Sequence, residues 1–411
     1  MRTYFFLLAM IVPLIAMSQG NMHETPNGKF EGLAPTPPMG WNSWNTFETN
    51  IDDALVRQTA DIMVASGMAT SGYQYIVLDD GWMAKERDSN GNLVPDPEKF
   101  PNGMKALVDY VHSKGLKFGL YNCAGTKTCG GYPGTRGYEY QDARFYATLN
   151  IDYLKYDWCN TQGITAKEAY STMSNALKTA GKPIVFSLCE WGDNQPWEWA
   201  KPVGNLWRIS GDIYPCFDCE FKHEEGNWSS WGFMKIIEMR KDIRKYSGPD
   251  HWNDFDMLEV GDGMTNIEDK AHFTMWAMMA SPLIAGNDFR KMTKETLAVL
   301  TNKDIIAIDQ DSAGIQGFKY LVEDGIEIWV KPLSEGKWAV TFLNRSDVAK
   351  KINFDWKQHI IKDVDFNFEA NFSQMTYQLK DLWKGKKAGK TDKAFVADIA
   401  SHDVITLLLS K

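Results

Sequence analysis

The run Tyr153-Leu-Lys-Tyr-Asp-Trp158, the segment Ala166–Ala180 and the run Ile184-Val-Phe-Ser-Leu-Cys-Glu-Trp191 decide the fold. The outer two are short and mostly apolar, with aromatic and β-branched residues, as strands buried on both faces require. The middle one repeats with the period of a helix. Strand, helix and strand joined by short connections make a parallel βαβ unit.

The same rhythm extends both ways along the chain. Strands are predicted at Met39–Trp44, Tyr75–Trp82, Lys117–Asn122, Tyr153–Trp158, Ile184–Trp191, Leu206–Asp212, Trp252–Leu258 and Leu283–Asp288. The clearest helices between and after them are Ile51–Met68, Met104–Lys114, Ala166–Ala180, Trp231–Tyr246, Glu268–Ala280 and Lys294–Asp309. Eight such strands match a (β/α)8 TIM barrel, expected over residues 35–311. A doubly wound sheet would carry a Gly-rich phosphate loop after an early strand, and no G-x-G-x-x-G or P-loop pattern occurs. From about Ala313 the helical period disappears. Glu327–Lys331, Lys337–Leu343, Lys351–Phe354 and Val404–Leu409 read as strands of a small C-terminal antiparallel β-sandwich domain, residues 313–411.

The 411 residues carry a net charge of -9, with 44% hydrophobic and 24% charged residues, and no basic cluster that would suit nucleic acid. Arg2, the apolar stretch Tyr4–Met17 and Ala16-Met17-Ser18 read as a signal peptide over 1–18, so export to the periplasm or medium is expected. No stretch is long and apolar enough to suggest a membrane span. The sixteen Trp fit either sugar stacking or a large core.

A barrel of this kind works at the C-terminal ends of its strands. Those ends hold Trp44, Asp79-Asp80, Tyr121, Lys155-x-Asp157, Cys189-x-Trp191, Arg208-x-x-x-Asp212 and Asp254-x-Asp256. Strand parity puts Lys155 with Asp157, Cys189 with Trp191, Arg208 with Asp212, and Asp254 with Asp256 on common faces. Single aspartates at strand ends also cap helices or form ion pairs. Four ends carrying carboxylates or cations around one mouth point instead to a site. Two carboxylates across a pocket suffice to cleave a glycosidic bond. Asp157, beside Lys155, is expected to stay ionised as nucleophile, and Asp212 to hold a proton as general acid and later base. The seven His residues are scattered, so no metal centre or other cofactor is expected. Cys216-x-x-Cys219 is half a zinc motif, and a loop disulfide, two free thiols or pairing elsewhere fits better. No G-x-S-x-G elbow supports a serine hydrolase.

Pro38-Met-Gly-Trp-Asn-Ser-Trp-Asn45, Leu78-Asp-Asp-Gly-Trp82, Lys155-Tyr-Asp-Trp-Cys159, Cys189-Glu-Trp191, Trp207-Arg-Ile-Ser-Gly-Asp212 and Trp252-Asn-Asp-Phe-Asp-Met-Leu258 together resemble glycoside hydrolase family 27, the melibiase-type α-galactosidases. The resemblance implies a retaining α-galactosidase acting on galactose-terminated oligosaccharides or glycoconjugates, with Asp157 as nucleophile and Asp212 as acid/base. It implies galactose contacts from Trp44, Asp79, Asp80, Lys155, Cys189, Trp191 and Arg208, with Tyr121, Asp256 and Met257 also lining the pocket. It further implies a Cys129–Cys159 disulfide beside the nucleophile. Relatives commonly pair a Cys at the position of Gly81 with one after the first strand, and this chain lacks both. Trp191 next to Glu190 is expected to crowd the sugar's 2-position, favouring galactose over N-acetylgalactosamine. An N-acetylgalactosaminidase or β-L-arabinopyranosidase on the same scaffold is the rival within the class. A barrel that only binds galactosides is the rival outside it, and the presence of both carboxylates counts against it.

Overall fold

A computed structural model describes residues 28–411 apart from Glu225 and Asn227. The signal peptide expected over 1–18 lies outside the described residues.

Ten strands precede residue 290: β1 (Met39–Asn42), β2 (Tyr75–Leu78), β3 (Lys117–Cys123), β4 (Tyr153–Asp157), β5 (Val185–Cys189), β6 (Leu206–Arg208), β7 (Glu220–His223), β8 (Trp228–Trp231), β9 (Trp252–Asp254) and β10 (Leu283–Ala285). All but β7 and β8 form one parallel sheet, ordered β10-β1-β2-β3-β4-β5-β6-β9. Backbone bonds between Leu258 and both Ile284 and Gly286 join its two ends, so the sheet closes into the expected barrel. Parity then stacks the interior in layers. Tyr75, Val77, Tyr153, Val185, Leu206 and Trp252 plug the lower interior as one apolar cluster. One step up the same strands, Lys155, Ser187, Arg208 and Asp254 replace them, and the interior becomes polar.

The ladder stops short of several predicted strand ends. β2 ends at Leu78 rather than Trp82, β6 at Arg208 rather than Asp212, and β9 at Asp254 rather than Leu258. At several strand ends a carboxylate takes the next backbone N–H group for itself. Asp79 accepts from the N–H of Asp80 at 2.9 Å, Asp157 from that of Trp158 at 2.8 Å, and Asp256 from that of Met257 at 2.8 Å. The residues expected in strands therefore sit in tight turns at the barrel mouth.

Two further elements differ from expectation. A helix at Glu139–Leu149 connects β3 to β4, and its apolar stripe is broken by Asp142, buried against Arg87 at 2.7 Å. The helix predicted over Trp231–Tyr246 is a short one at Phe233–Met239 followed by a 3₁₀ turn, because Trp231 belongs to the β7–β8 hairpin. A Cys216–Cys219 disulfide closes the base of that hairpin.

At the first loop, between Thr49 and Gly81, the Lys99 ammonium donates to the carbonyls of Thr49 at 2.8 Å and Gly81 at 2.7 Å. There is no room for a side chain at Gly81, whose Cβ would come within 2.7 Å of Thr49.

The C-terminal part contains β11 (Phe318–Glu323), β12 (Ile326–Pro332), β13 (Trp338–Leu343), β14 (Lys350–Phe354), β15 (Ile360–Asp363), β16 (Phe368–Asn371), β17 (Gln378–Asp381), β18 (Lys386–Lys390), β19 (Phe395–Ile399) and β20 (Val404–Ser410). Six of them form an antiparallel sheet ordered β11-β12-β13-β20-β17-β18, and β14–β19 and β15–β16 form two ribbons. Alternate residues of the sheet and the ribbons meet in a core that includes Ile328, Val340, Phe342, Phe354, Trp356 and Leu407. This layer is tied to the barrel by Arg244, which pairs with Asp363 at 2.5 Å and Asp365 at 3.0 Å, and by Lys270 with Asp403 at 2.6 Å.

Candidate active site

At the upper end of the barrel interior lies a pocket. Its walls come from nearly every strand end: Trp44 and Asn45 after β1, Asp79 after β2, Tyr121 on β3, Lys155 and Asp157 on β4, Cys189 and Trp191 at β5, Arg208 and Asp212 at β6, and Asp256 and Met257 after β9. Thus every residue expected in the site lines this pocket except Asp80. The Asp80 carboxylate is occupied by the backbone N–H of Gly81 at 2.8 Å and of Gly130 at 2.7 Å, behind the wall.

The two candidate catalytic carboxylates are held differently. Asp157 is 6% exposed and accepts the Tyr121 hydroxyl at 2.8 Å on one oxygen and the Trp158 N–H at 2.8 Å on the other. Burial pushes its pKa up to about 6, with Lys155 opposing and Asp212 adding to the rise. Lys155 lowers it, as its place on the same face led one to expect, but desolvation outweighs the cation, and the carboxyl still ionises below neutral pH. The Lys155 ammonium bonds instead to Asp79 at 2.7 Å, across the barrel interior. The Asp212 side chain is 37% exposed and opens to solvent, with Arg208 Nη2 at 3.0 Å.

Around them the side chains form a fixed polar lattice. Asn42 donates to Asp79 at 2.8 Å. Arg208 also pairs with Asp256 at 2.8 Å, and Asp256 accepts the Ile213 N–H at 2.8 Å. Asp254, beneath the pocket, is pushed up to about 6 by burial. Such a wall offers carboxylate acceptors and ammonium and guanidinium donors to a ligand dense in hydroxyls. Burial also pushes the Cys189 thiol far up, so it lines the pocket as a neutral group. Trp191 reaches the pocket from a left-handed backbone, φ 60°.

The Cys129–Cys159 disulfide forms and sets Cys129 Sγ 3.3 Å from an Asp157 oxygen. Cys129, Asp157 and Cys159 are the one group of possible metal ligands found among the described residues. Its two sulfurs are bonded to each other and offer no thiolate. Cys123 and Cys189 are free and buried.

Sequence reasoning missed Asn45 in the wall and Asn42 behind it, on Asp79, whereas Cys129 stands beside Asp157 as the expected disulfide implied. Both asparagines stand in the quoted Trp41-Asn-Ser-Trp-Asn45 segment, where parity with Trp44 would have raised Asn42, while Asn45 lies in the helical turn beyond the strand.

Residues 36–311 match the family described as Alpha galactosidase A, and residues 323–409 match the Alpha galactosidase C-terminal beta sandwich domain. The chain is 54% identical to Alpha-galactosidase A of Cellvibrio japonicus over 93% of this chain and 94% of that protein. Its structure superposes on alpha-galactosidase I of Mortierella vinacea with a TM-score of 0.84 and 36% identity, covering 92% and 98% of the two chains. It superposes on the Saccharomyces cerevisiae α-galactosidase solved with raffinose with a TM-score of 0.84 and 31% identity, covering 93% and 99%. With its barrel, its β-sandwich and a pocket that gathers both strand-end carboxylates, the chain belongs to the melibiase-type α-galactosidases of glycoside hydrolase family 27.

Proposed function

We propose that the pocket hydrolyses terminal α-linked galactose by double displacement. The observation that carries this reading is that Asp157 and Asp212, from the ends of β4 and β6, line one pocket together. An Asp157 oxygen attacks the anomeric carbon, while Asp212 delivers its proton to the departing glycosidic oxygen. The ionised Asp212 then takes a proton from water, which attacks the same carbon and releases galactose with its α-configuration retained. Asp79, Lys155, Arg208 and Asp256 hold the hydroxyls, and Trp44 and Trp191 contact the ring. Trp191 occupies the space an acetamide would need, which favours galactose over N-acetylgalactosamine. The catalytic unit in this reading is residues 35–311, with 313–411 as an accessory β-domain.

Asp157→Asn and Asp212→Asn separate the roles. With an activated galactoside and azide, the Asp212 variant regains turnover and yields β-galactosyl azide, whereas the Asp157 variant yields none. The opposite pattern reverses the assignment. Comparing p-nitrophenyl α-galactoside, α-N-acetylgalactosaminide and β-L-arabinopyranoside tests the sugar preference. Among the described residues no helix is long and apolar enough to cross a membrane. The apolar stretch Tyr4–Met17, read as a leader, supports export, which is checked by sequencing the N-terminus of the secreted chain.

A further inference from the structure

Asp212, the proposed proton donor, is partly open to solvent, and among the described residues its one side-chain partner is Arg208 at 3.0 Å. One ion pair on a solvent-facing carboxyl fixes its direction weakly, so the aim of the group depends on its backbone. That backbone has two holds. The first is Asp256, which lines the pocket and accepts the Ile213 N–H at 2.8 Å. The second is Trp231, the last residue of β8. Its N–H donates to the Asp212 carbonyl at 3.1 Å, and its carbonyl accepts the Tyr214 N–H at 2.9 Å. The Trp231 ring also lies on Gly211, so close that a Cβ there would stand 2.4 Å from the indole.

Trp231 is in turn seated by the Cys216-x-x-Cys219 turn. Gly232, the next residue, donates to the Cys219 carbonyl at 3.0 Å, and a Cβ on it would stand 2.8 Å from Cys216 Sγ. The carbonyls of Cys216 and Phe217 accept the N–H groups of Phe233 and Met234 at 3.3 and 3.1 Å, donors that the first turn of the helix Phe233–Met239 leaves free. The two residues inside the disulfide are anchored as well. Phe217 stacks on His402 at 4.0 Å and Asp218 pairs with Arg345, both partners belonging to the C-terminal domain. The Cys216–Cys219 cross-link restricts this turn to shapes that can make these contacts together.

We infer that Trp231 and the Cys216–Cys219 turn position Asp212, so that cutting the cross-link misdirects the proton donor and leaves the nucleophile in place. The inference rests on the reading of Asp212 as the acid. Asp157 is on β4 and takes its hydrogen bonds from Tyr121 and Trp158, neither of them part of this turn. A displaced acid slows a reaction most where the departing oxygen most needs a proton.

The test is the leaving-group dependence of kcat/KM, which in a double displacement reports the steps up to the galactosyl-enzyme. Phenyl and 2,4-dinitrophenyl α-galactosides place an aryl ring in the same position, but dinitrophenolate departs without a proton and phenolate needs one. In Cys216→Ser/Cys219→Ser, and separately in Trp231→Leu, the ratio of phenyl to dinitrophenyl kcat/KM falls about tenfold or more below the wild-type ratio. A merely structural loss lowers both substrates alike and leaves the ratio where it was. Thermal melts establish that each variant is folded, and Trp231→Leu carries the test if the cysteine variant is not. A ratio unmoved in the folded variants overturns the inference. Asp212→Asn is measured beside them and shows the largest fall. If Asp212→Asn also leaves the ratio unmoved, the acid assignment itself fails and the inference with it. If Asp212→Asn lowers the ratio and the other variants do not, the acid assignment stands and the positioning alone is wrong.

Discussion

Asp157 is under two opposed influences, and their balance is measurable. Burial raises its pKa to about 6, while Lys155, the Trp158 N–H and the Tyr121 hydroxyl pull it down. A nucleophile must be ionised, so activity is lost as pH falls through that value. The acid limb of kcat/KM, which reports the free enzyme, is expected near pH 6. Tyr121→Phe removes a hydrogen bond that only the carboxylate fully uses. The limb then moves to higher pH, and kcat/KM at neutral pH drops about tenfold. A limb that stays put in Tyr121→Phe would show that another group governs it. At this scale the sequence told which residues share a face but not which partner each one takes. Lys155 and Asp157 are two apart on β4, yet the ammonium reaches Asp79 at 2.7 Å, because parity is blind to what stands at the end of β2, two strands away. The rise in the Asp157 pKa was equally unreadable, since desolvation depends on the whole wall.

Among the elements, the turn after β5 couples backbone strain to the pocket. Trp191 adopts φ 60° and Gly192 φ 75°, and only glycine fits against the Ile209 carbonyl. A left-handed non-glycine residue costs on the order of 1–3 kcal/mol and persists where its surroundings enforce it. Gly192→Ala must therefore push the turn away from β6 and carry Trp191 with it. The expected result is a fall of about tenfold or more in kcat/KM for p-nitrophenyl α-galactoside, dominated by KM, with far-UV circular dichroism unchanged. An unchanged KM would mean that Trp191 does not position the sugar. The barrel strands were legible because each is a short, doubly buried apolar run between turns. The helix at Glu139–Leu149 was not, since its buried face includes Asp142 and its pattern reads as polar until Arg87 arrives from a distant loop. The β7–β8 hairpin was hidden for another reason: its tip is charged, and Trp231 continues smoothly into the apolar spacing of the helix that follows.

For the molecule as a whole, the barrel and the β-sandwich share buried charge. Arg244 is 7% exposed, pairs with Asp363 and donates to the Gln316 carbonyl. Removing one member leaves the other desolvated, at a cost of about 3–5 kcal/mol. Arg244→Met should lower the thermal midpoint, and Asp363→Leu added to it should recover part of the loss. A midpoint that falls further in the double variant would contradict the pairing. The order of barrel then β-domain was readable from the change in period near Ala313, whereas this contact, 119 residues apart in sequence, left no local trace.

The Lys99 bridge at the first loop has a consequence for production. Two carbonyls and an ammonium need no oxidant to come together, so that part of the rim can assemble in a reducing host. Only the cross-links at Cys129–Cys159 and Cys216–Cys219 call for an oxidising compartment.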